Sequence, residues 1–206
     1  MLIYQYKNEG GHMDPFWDQA SQLLVQSVIA YLWEAWGDKE QNLHRVLQLI
    51  SLCNAYGDLS EETSTLDRMM EKHGEKNPDS YAVNMYSKFR VAANRTLRSI
   101  LITVNARLGL FDTPELNEMT ATDDIDIASI GQKRTALFVV VSDTDRSLDG
   151  LVNIFFTQAM NELCRYADKS CEHNTLPVPV RFILDDFATN CKIEDFPRMI
   201  ASIRSR

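Results

Sequence analysis

Hydrophobic positions recur at two different periods along this chain, and the change of period divides it. Asp14-Pro15 opens a helix in the expected way: an aspartate accepts orphan N–H groups, and proline occupies the first helical position, where no amide hydrogen is needed. Phe16, Ala20, Leu23, Leu24, Val28, Tyr31, Leu32 and Ala35 then follow at helical spacing, so the helix buries a wide stripe and ends near Gly37. Leu43, Val46, Leu47, Ile50 and Cys53 predict a shorter amphipathic helix, stopped by Gly57. Residues Asp58 to Asp79 are polar and mostly acidic, broken by Gly74 and Pro78, and predict a mobile excursion with at most one short helix, around Leu66 to Lys72. From Ser80, an N-cap, Met85, Phe89, Ala92, Ala93, Leu97, Ile100, Leu101, Val104 and Leu108 run without a breaker to Gly109. At ~1.5 Å per residue this is a continuous helix of about 42 Å, the spine of an all-helical half.

Beyond Phe111-Asp112-Thr113-Pro114 the pattern shifts. Asp124-Ile125-Asp126-Ile127 alternates at period two, and Gly131 marks a turn. Thr135-Ala-Leu-Phe-Val-Val-Val-Ser142 is a continuous β-branched and aromatic run, the signature of a strand covered on both faces of a parallel sheet. Ser147 caps a predicted helix carrying Leu151, Ile154, Phe155, Ala159, Leu163 and Tyr166. Pro179 to Leu184 is a second buried strand ending in Asp185-Asp186, and a last helix begins near Asp195-Phe196-Pro197. Strand, helix, strand, helix implies parallel crossovers. The expected fold class is α/β with a large all-α helical insertion: mostly helical, with a partial parallel sheet. The expected domains are 14–120, all helical, and 121–206, a partial α/β segment, after a lead-in of residues 1–13.

The 206 residues are 45% hydrophobic and 24% charged, an ordinary globular balance that excludes disorder as the main state. No apolar run reaches the roughly 18 to 20 residues that span a bilayer; the best, Leu23 to Trp33, is broken by Gln26 and Ser27. The net charge of −8 repels a polyanion unless positive charge is concentrated locally. Cys53, Cys164, Cys171 and Cys191 form no CxxC pair, and Met1 to Met13 is polar, so a reducing cytoplasm is the natural setting. The chain closes at Arg206 within a helical pattern, and the expectation is a piece of something longer.

The most informative constellation is Val180 to Phe187, a hydrophobic strand delivering Asp185 and Asp186 at its C-terminal edge, where open α/β sheets bind ligands. In P-loop ATPases the first such acid orients Mg²⁺, usually through water, and the next polarises the attacking water. The plainer alternative is a strand end whose acids cap the following turn. A phosphate-binding GxxxxGK loop, the required partner, is missing: Gly10-Gly11 is followed by His12. Either the chain is not an ATPase or its phosphate-binding half lies elsewhere.

Asp14-Pro-Phe-Trp-Asp-Gln-Ala20, Ala136-Leu-Phe-Val-Val-Val-Ser-Asp-Thr-Asp145, Leu176-Pro-Val-Pro-Val-Arg-Phe-Ile-Leu-Asp-Asp-Phe-Ala188 and Ile200 to Arg206 together resemble the TraG/TraD-type coupling proteins of type IV secretion and conjugation. The resemblance runs from about Gly10 to the end. It implies a membrane-anchored, hexameric, FtsK-like ATPase at the cytoplasmic face of the bacterial inner membrane, using ATP and Mg²⁺. Its partners would be a relaxase or relaxosome or a secreted effector protein, type IV secretion channel components, and DNA in the hexamer. The helical segment corresponds to the family's all-alpha substrate-recognition domain, inserted into the P-loop nucleotide-binding core ahead of the acidic (Walker B) strand. Asp185 matches the metal-side acid. Asp186 stands where the family usually carries glutamate, one methylene longer, which puts its water-activating role in doubt. Arg204 and Arg206 fall in the family's arginine-containing stretch, facing a neighbour's nucleotide or the translocated strand; a pair of charges at a helix C-terminus is the plainer account. Asp143, Asp145 and Arg146 resemble a recurring family segment, with loop capping as the alternative.

Lys88, Arg95 and Arg98 lie within roughly 80° of one another on the predicted long helix, a narrow basic stripe that contacts DNA or an acidic tail, or is a solvated face. Trp17, Trp33 and Trp36 are expected as helix-packing residues. His12, His44, His73 and His173 share no zinc spacing with the cysteines. The expectation is an ATPase fragment inactive alone, binding no nucleotide tightly, and monomeric or weakly dimeric. The rival reading is a stand-alone helical adaptor without ATPase function.

Overall fold

The computed structural model describes residues 15–37, 41–53, 63–93, 96–142, 144, 146–185, 193 and 196–203. The chain divides into two compact units, one within Asn8–Asp123 and the other within Asp124–Arg206. It is mostly helical, and no strand is present among the described residues.

In the first unit α1 (Pro15–Ala35) is the central element, with α2 (Leu43–Ser51), α4 (Tyr81–Ala93) and α5 (Leu97–Leu108) packed on it and α3 (Thr65–Lys76) packed on α4. A 3₁₀ turn, Gly109–Asp112, leads to α6 (Pro114–Thr120), which returns to α2. The buried stripe of α1 comprises Ala20, Ser21, Leu24, Val25, Ser27, Val28, Tyr31 and Leu32. Ser21 and Ser27 tolerate burial because each hydroxyl donates to a carbonyl one turn back, Asp18 O at 3.0 Å and Leu24 O at 2.7 Å. Phe89, Tyr86 and Ala82 of α4 and Ile100, Leu101 and Val104 of α5 complete the core. Asn42 caps α2, its side chain accepting from Arg45 N at 2.9 Å. Gly57, expected to end that helix, lies outside the described residues, as does Asp14.

Three expectations for this unit change. The single 42 Å helix is two helices, interrupted where Thr96 leaves helical geometry (φ −126°, ψ 7°). Its hydroxyl donates to Ala92 O at 3.0 Å and its N–H to Ala93 O at 3.0 Å, a local competition that apolar periodicity does not register. The short helix expected around Leu66 to Lys72 within a mobile excursion is α3, which runs on to Lys76, buries Leu66, Met70 and His73 and begins with a reciprocal capping box between Ser64 and Asp67. Trp33, expected in packing, is 76% exposed, because it falls on the side of α1 opposite Val28 and Tyr31; Trp17 and Trp36 are half-buried, the latter beneath the Arg45 guanidinium.

In the second unit α7 (Ile127–Ile130) and α9 (Phe196–Ile203) pack on α8 (Asp149–Ser170). Asp126 does not continue a strand but caps α7, accepting from Ser129 N at 3.1 Å. At Gly131 the chain passes close to a neighbour: a Cβ there would lie 2.8 Å from Leu176 Cδ2, so that side chain would have to shift. The buried face of α8 is Asp149, Asn153, Thr157, Ala159, Met160, Leu163 and Ala167, rotated from the predicted stripe, and Leu151, Ile154 and Phe155 are only half-buried. The two segments expected as strands, Thr135–Ser142 and Pro179–Leu184, are neither helix nor strand. A strand requires a ladder, and neither segment finds a ladder partner among the described residues.

Candidate functional site

Asp185 follows the apolar run Val180 to Leu184 and is exposed, with no hydrogen bond or ion pair among the described residues. Asp186, Arg204 and Arg206 lie outside the described residues, as do Asp143 and Asp145; Arg146 is described, and its Nε sits 2.8 Å from Asp149 Oδ2 at the start of α8. No group of three histidine, cysteine or acidic side chains suited to a metal ion occurs among the described residues. Among the described residues Asp185 is a single solvated carboxylate, and the sequence contains no phosphate loop of the GxxxxGK form.

The flanking apolar segments carry the more telling geometry. Phe138 is 86%, Val140 94% and Ile183 85% exposed, while the alternate residues Leu137, Val139, Phe182 and Leu184 are less so. Each segment thus has one face partly covered by its own unit and one apolar face open to solvent, a cost of roughly 25 cal/mol per Å² relative to burial. Folded chains leave such apolar clusters exposed chiefly where something else covers them.

On the helical unit, Lys88 and Arg98 of the predicted stripe are exposed on α4 and α5, and Arg95 lies outside the described residues. Sequence reasoning missed two polar clusters here, each with buried members. Glu34, near the end of α1, accepts four hydrogen bonds: from Ser80 Oγ at 2.5 Å, His73 Nε2 at 2.8 Å, Tyr81 N at 3.0 Å and Ala82 N at 3.2 Å. Ser80 Oγ in turn accepts from Val83 N at 3.1 Å, so the first three amides of α4 are all satisfied. Burial alone would raise the Glu34 pKa, yet the donations from Ser80, His73 and the Ala82 amide, with the His73 charge, hold it below its ordinary value. Glu34 therefore ties α1 to α3 and α4.

The second cluster links the turn after α2 to α3 and α4. Asp67 Oδ1 accepts from the Tyr86 hydroxyl at 2.9 Å and pairs with Arg90 Nε at 3.0 Å, while Cys53 Sγ lies 3.9 Å from the same hydroxyl. Burial pushes the Cys53 thiol up to about 12, so it is a packed, unreactive group, and burial likewise raises the Tyr86 pKa. The capping spacing Ser64-x-x-Asp67 was a legible signal for this cluster, and Ser80 was the one for the other; their long-range partners were not.

Comparison with curated proteins and with solved structures gave no match. The family model for type IV secretory system conjugative DNA transfer matches residues 2–205, essentially the whole chain. This chain is a member of the type IV secretory system conjugative DNA transfer family, the TraG/TraD-like coupling proteins.

Proposed function

We propose that the chain is part of a conjugative coupling ATPase that brings a DNA–relaxase complex or a protein cargo to the type IV secretion channel. Its helical unit is the all-alpha substrate-recognition domain, and residues 121–206 are part of the nucleotide-binding domain. The observation that carries this reading is the open apolar face of Phe138, Val140 and Ile183 on segments patterned as buried strands. Further polypeptide of the coupling protein, including its phosphate loop, pairs with them and completes a parallel sheet. In that completed site Asp185 would hold Mg²⁺ with ATP, and Asp186 would activate the attacking water for hydrolysis. Arg204 and Arg206 face a neighbouring subunit's nucleotide or the DNA, and Lys88, Arg95 and Arg98 lie on the cargo-recognising unit. The parent protein works at the cytoplasmic face of the inner membrane.

Two measurements on the purified chain test this. Mg²⁺-dependent ATP turnover stays at the buffer control, and light scattering gives a monomer or weak dimer. Saturable turnover or a stable hexamer overturns the proposal, since either requires parts this reading places elsewhere.

A further inference from the structure

Gln48 bridges two of its neighbours on α2. Its Oε1 accepts from Arg45 Nη1 at 2.6 Å, and its Nε2 lies 2.7 Å from His44 Nε2. A guanidinium only donates, which fixes the Gln48 oxygen on the arginine side and its NH₂ group on the histidine side. His44 Nε2 therefore accepts, the imidazole is neutral, and its hydrogen sits on Nδ1. That nitrogen is enclosed and has no hydrogen-bond partner among the described residues. Asp112 Oδ1, at the end of the 3₁₀ turn Gly109–Asp112, stands 3.8 Å from it, close enough to attract a charge and too far for a hydrogen bond.

A second proton changes both sides of the ring. Nε2 becomes a donor and faces the donor NH₂ of Gln48. Turning the amide over to offer its oxygen to His44 would set the NH₂ group against the Arg45 guanidinium, so Gln48 cannot serve both. On the other side the charged ring gains attraction to the Asp112 carboxylate. We propose that His44 is a proton-operated latch. Neutral, it closes the Arg45–Gln48–His44 chain along α2; protonated, it leaves that chain and bonds Asp112, tying α2 to the turn that follows α5. The elements packed on α2 are α1, the 3₁₀ turn and α6. Their charged residues are all acidic: Asp18 and Glu34, Asp112, and Glu115 and Glu118. Asp18 pairs with Arg107 and Glu34 with His73, which leaves Asp112 as the acid that pairs with His44. Arg45 on α2 itself and the first-turn amides of that helix oppose a positive ring, so Asp112 is the group that favours the protonated state. Histidine is the side chain whose ordinary charge change falls between about pH 5 and 8, the range in which the latch turns. It lies wholly in the first unit and shares no residue with the Phe138, Val140 and Ile183 face, so either proposal can fail without the other.

The test is ¹⁵N NMR of the full chain from pH 8 to pH 5, following the His44 ring and the Gln48 side-chain amide. The two sets of signals move with one midpoint. Gln48→Leu removes the opposing donor and raises the midpoint of the ring, whereas Asp112→Asn removes the attracting charge and lowers it. Each shift is about 0.5 pH unit, because Asp112 is 68% exposed and solvent screens the pair. Gln48 is exposed as well, so both variants keep the fold, which an unchanged circular dichroism spectrum checks. Shifts of opposite sign separate a latch from a contact that merely supports packing. A ring that stays neutral down to pH 5, a Gln48 amide that stays fixed while the ring titrates, or a midpoint unmoved by Asp112→Asn or not raised by Gln48→Leu overturns the proposal.

Discussion

Replacing Glu34 with alanine is the sharpest perturbation the helical unit offers. The carboxylate accepts from Ser80 Oγ, His73 Nε2, Tyr81 N and Ala82 N, and its side chain is 25% exposed. Losing a helix cap costs about 1 kcal/mol. His73, 8% exposed, is left with an unmet Nε2, worth about 1–3 kcal/mol. Because these groups act as one network the terms do not simply add, and the expected loss is about 3 kcal/mol. For a unit of this size that lowers the melting temperature on the order of 10 °C, read by circular dichroism. The pH dependence supplies a second signature. The folded-state pKa of Glu34 lies below its ordinary 4.5, so its contribution is complete above that value and disappears as pH falls through the lower, folded value. The stability difference between the native chain and Glu34→Gln therefore narrows on acidification below about pH 4.5. A loss under about 0.5 kcal/mol for Glu34→Ala, or a difference independent of pH, refutes the network as the tie between α1, α3 and α4.

Asp67→Ala removes the α3 capping box together with the partners of Tyr86 and Arg90, and is expected to cost about 2–4 kcal/mol in urea denaturation; a loss below about 1 kcal/mol contradicts the assignment. Cys53, with its thiol raised to about 12, resists iodoacetamide at pH 8 in the folded chain and reacts in denaturant, as peptide mass mapping will read; ready alkylation of the folded chain contradicts its burial. Gly131→Ala, whose new methyl meets Leu176, destabilises the second unit by about 1 kcal/mol in the same denaturation assay, and an unchanged midpoint contradicts the close contact.

Much of the helical unit was legible because periodic apolar stripes record burial directly. Leu24, Val28, Tyr31 and Leu32 of α1 and Val46 and Ile50 of α2 are buried where spacing placed them. What spacing could not register was competition at single residues: the Thr96 hydroxyl divides an otherwise unbroken helical pattern. Nor could it register stabilisation between distant residues, such as Glu34 meeting Ser80, so α3, legible as a short helix around Leu66 to Lys72, is longer and more firmly anchored than its polar sequence suggested. In the second unit the β-branched runs gave a strong strand signal, but a strand is a property of a pair of segments, and the described residues supply no second member. Asp185 stands after the second run as its position suggested, without partners that assign it a role.

The central claim rests on Phe138, Val140 and Ile183, which are exposed here and which the proposal places under further polypeptide of the coupling protein. Changing each to aspartate, singly and together, and reading both the melting temperature of the purified chain and the frequency of conjugative DNA transfer from donor cells carrying the variant gene, tests it most directly. The account predicts melting temperatures shifted by no more than the equivalent of about 0.5 kcal/mol, with transfer reduced by orders of magnitude. Unimpaired transfer in the triple variant would contradict it.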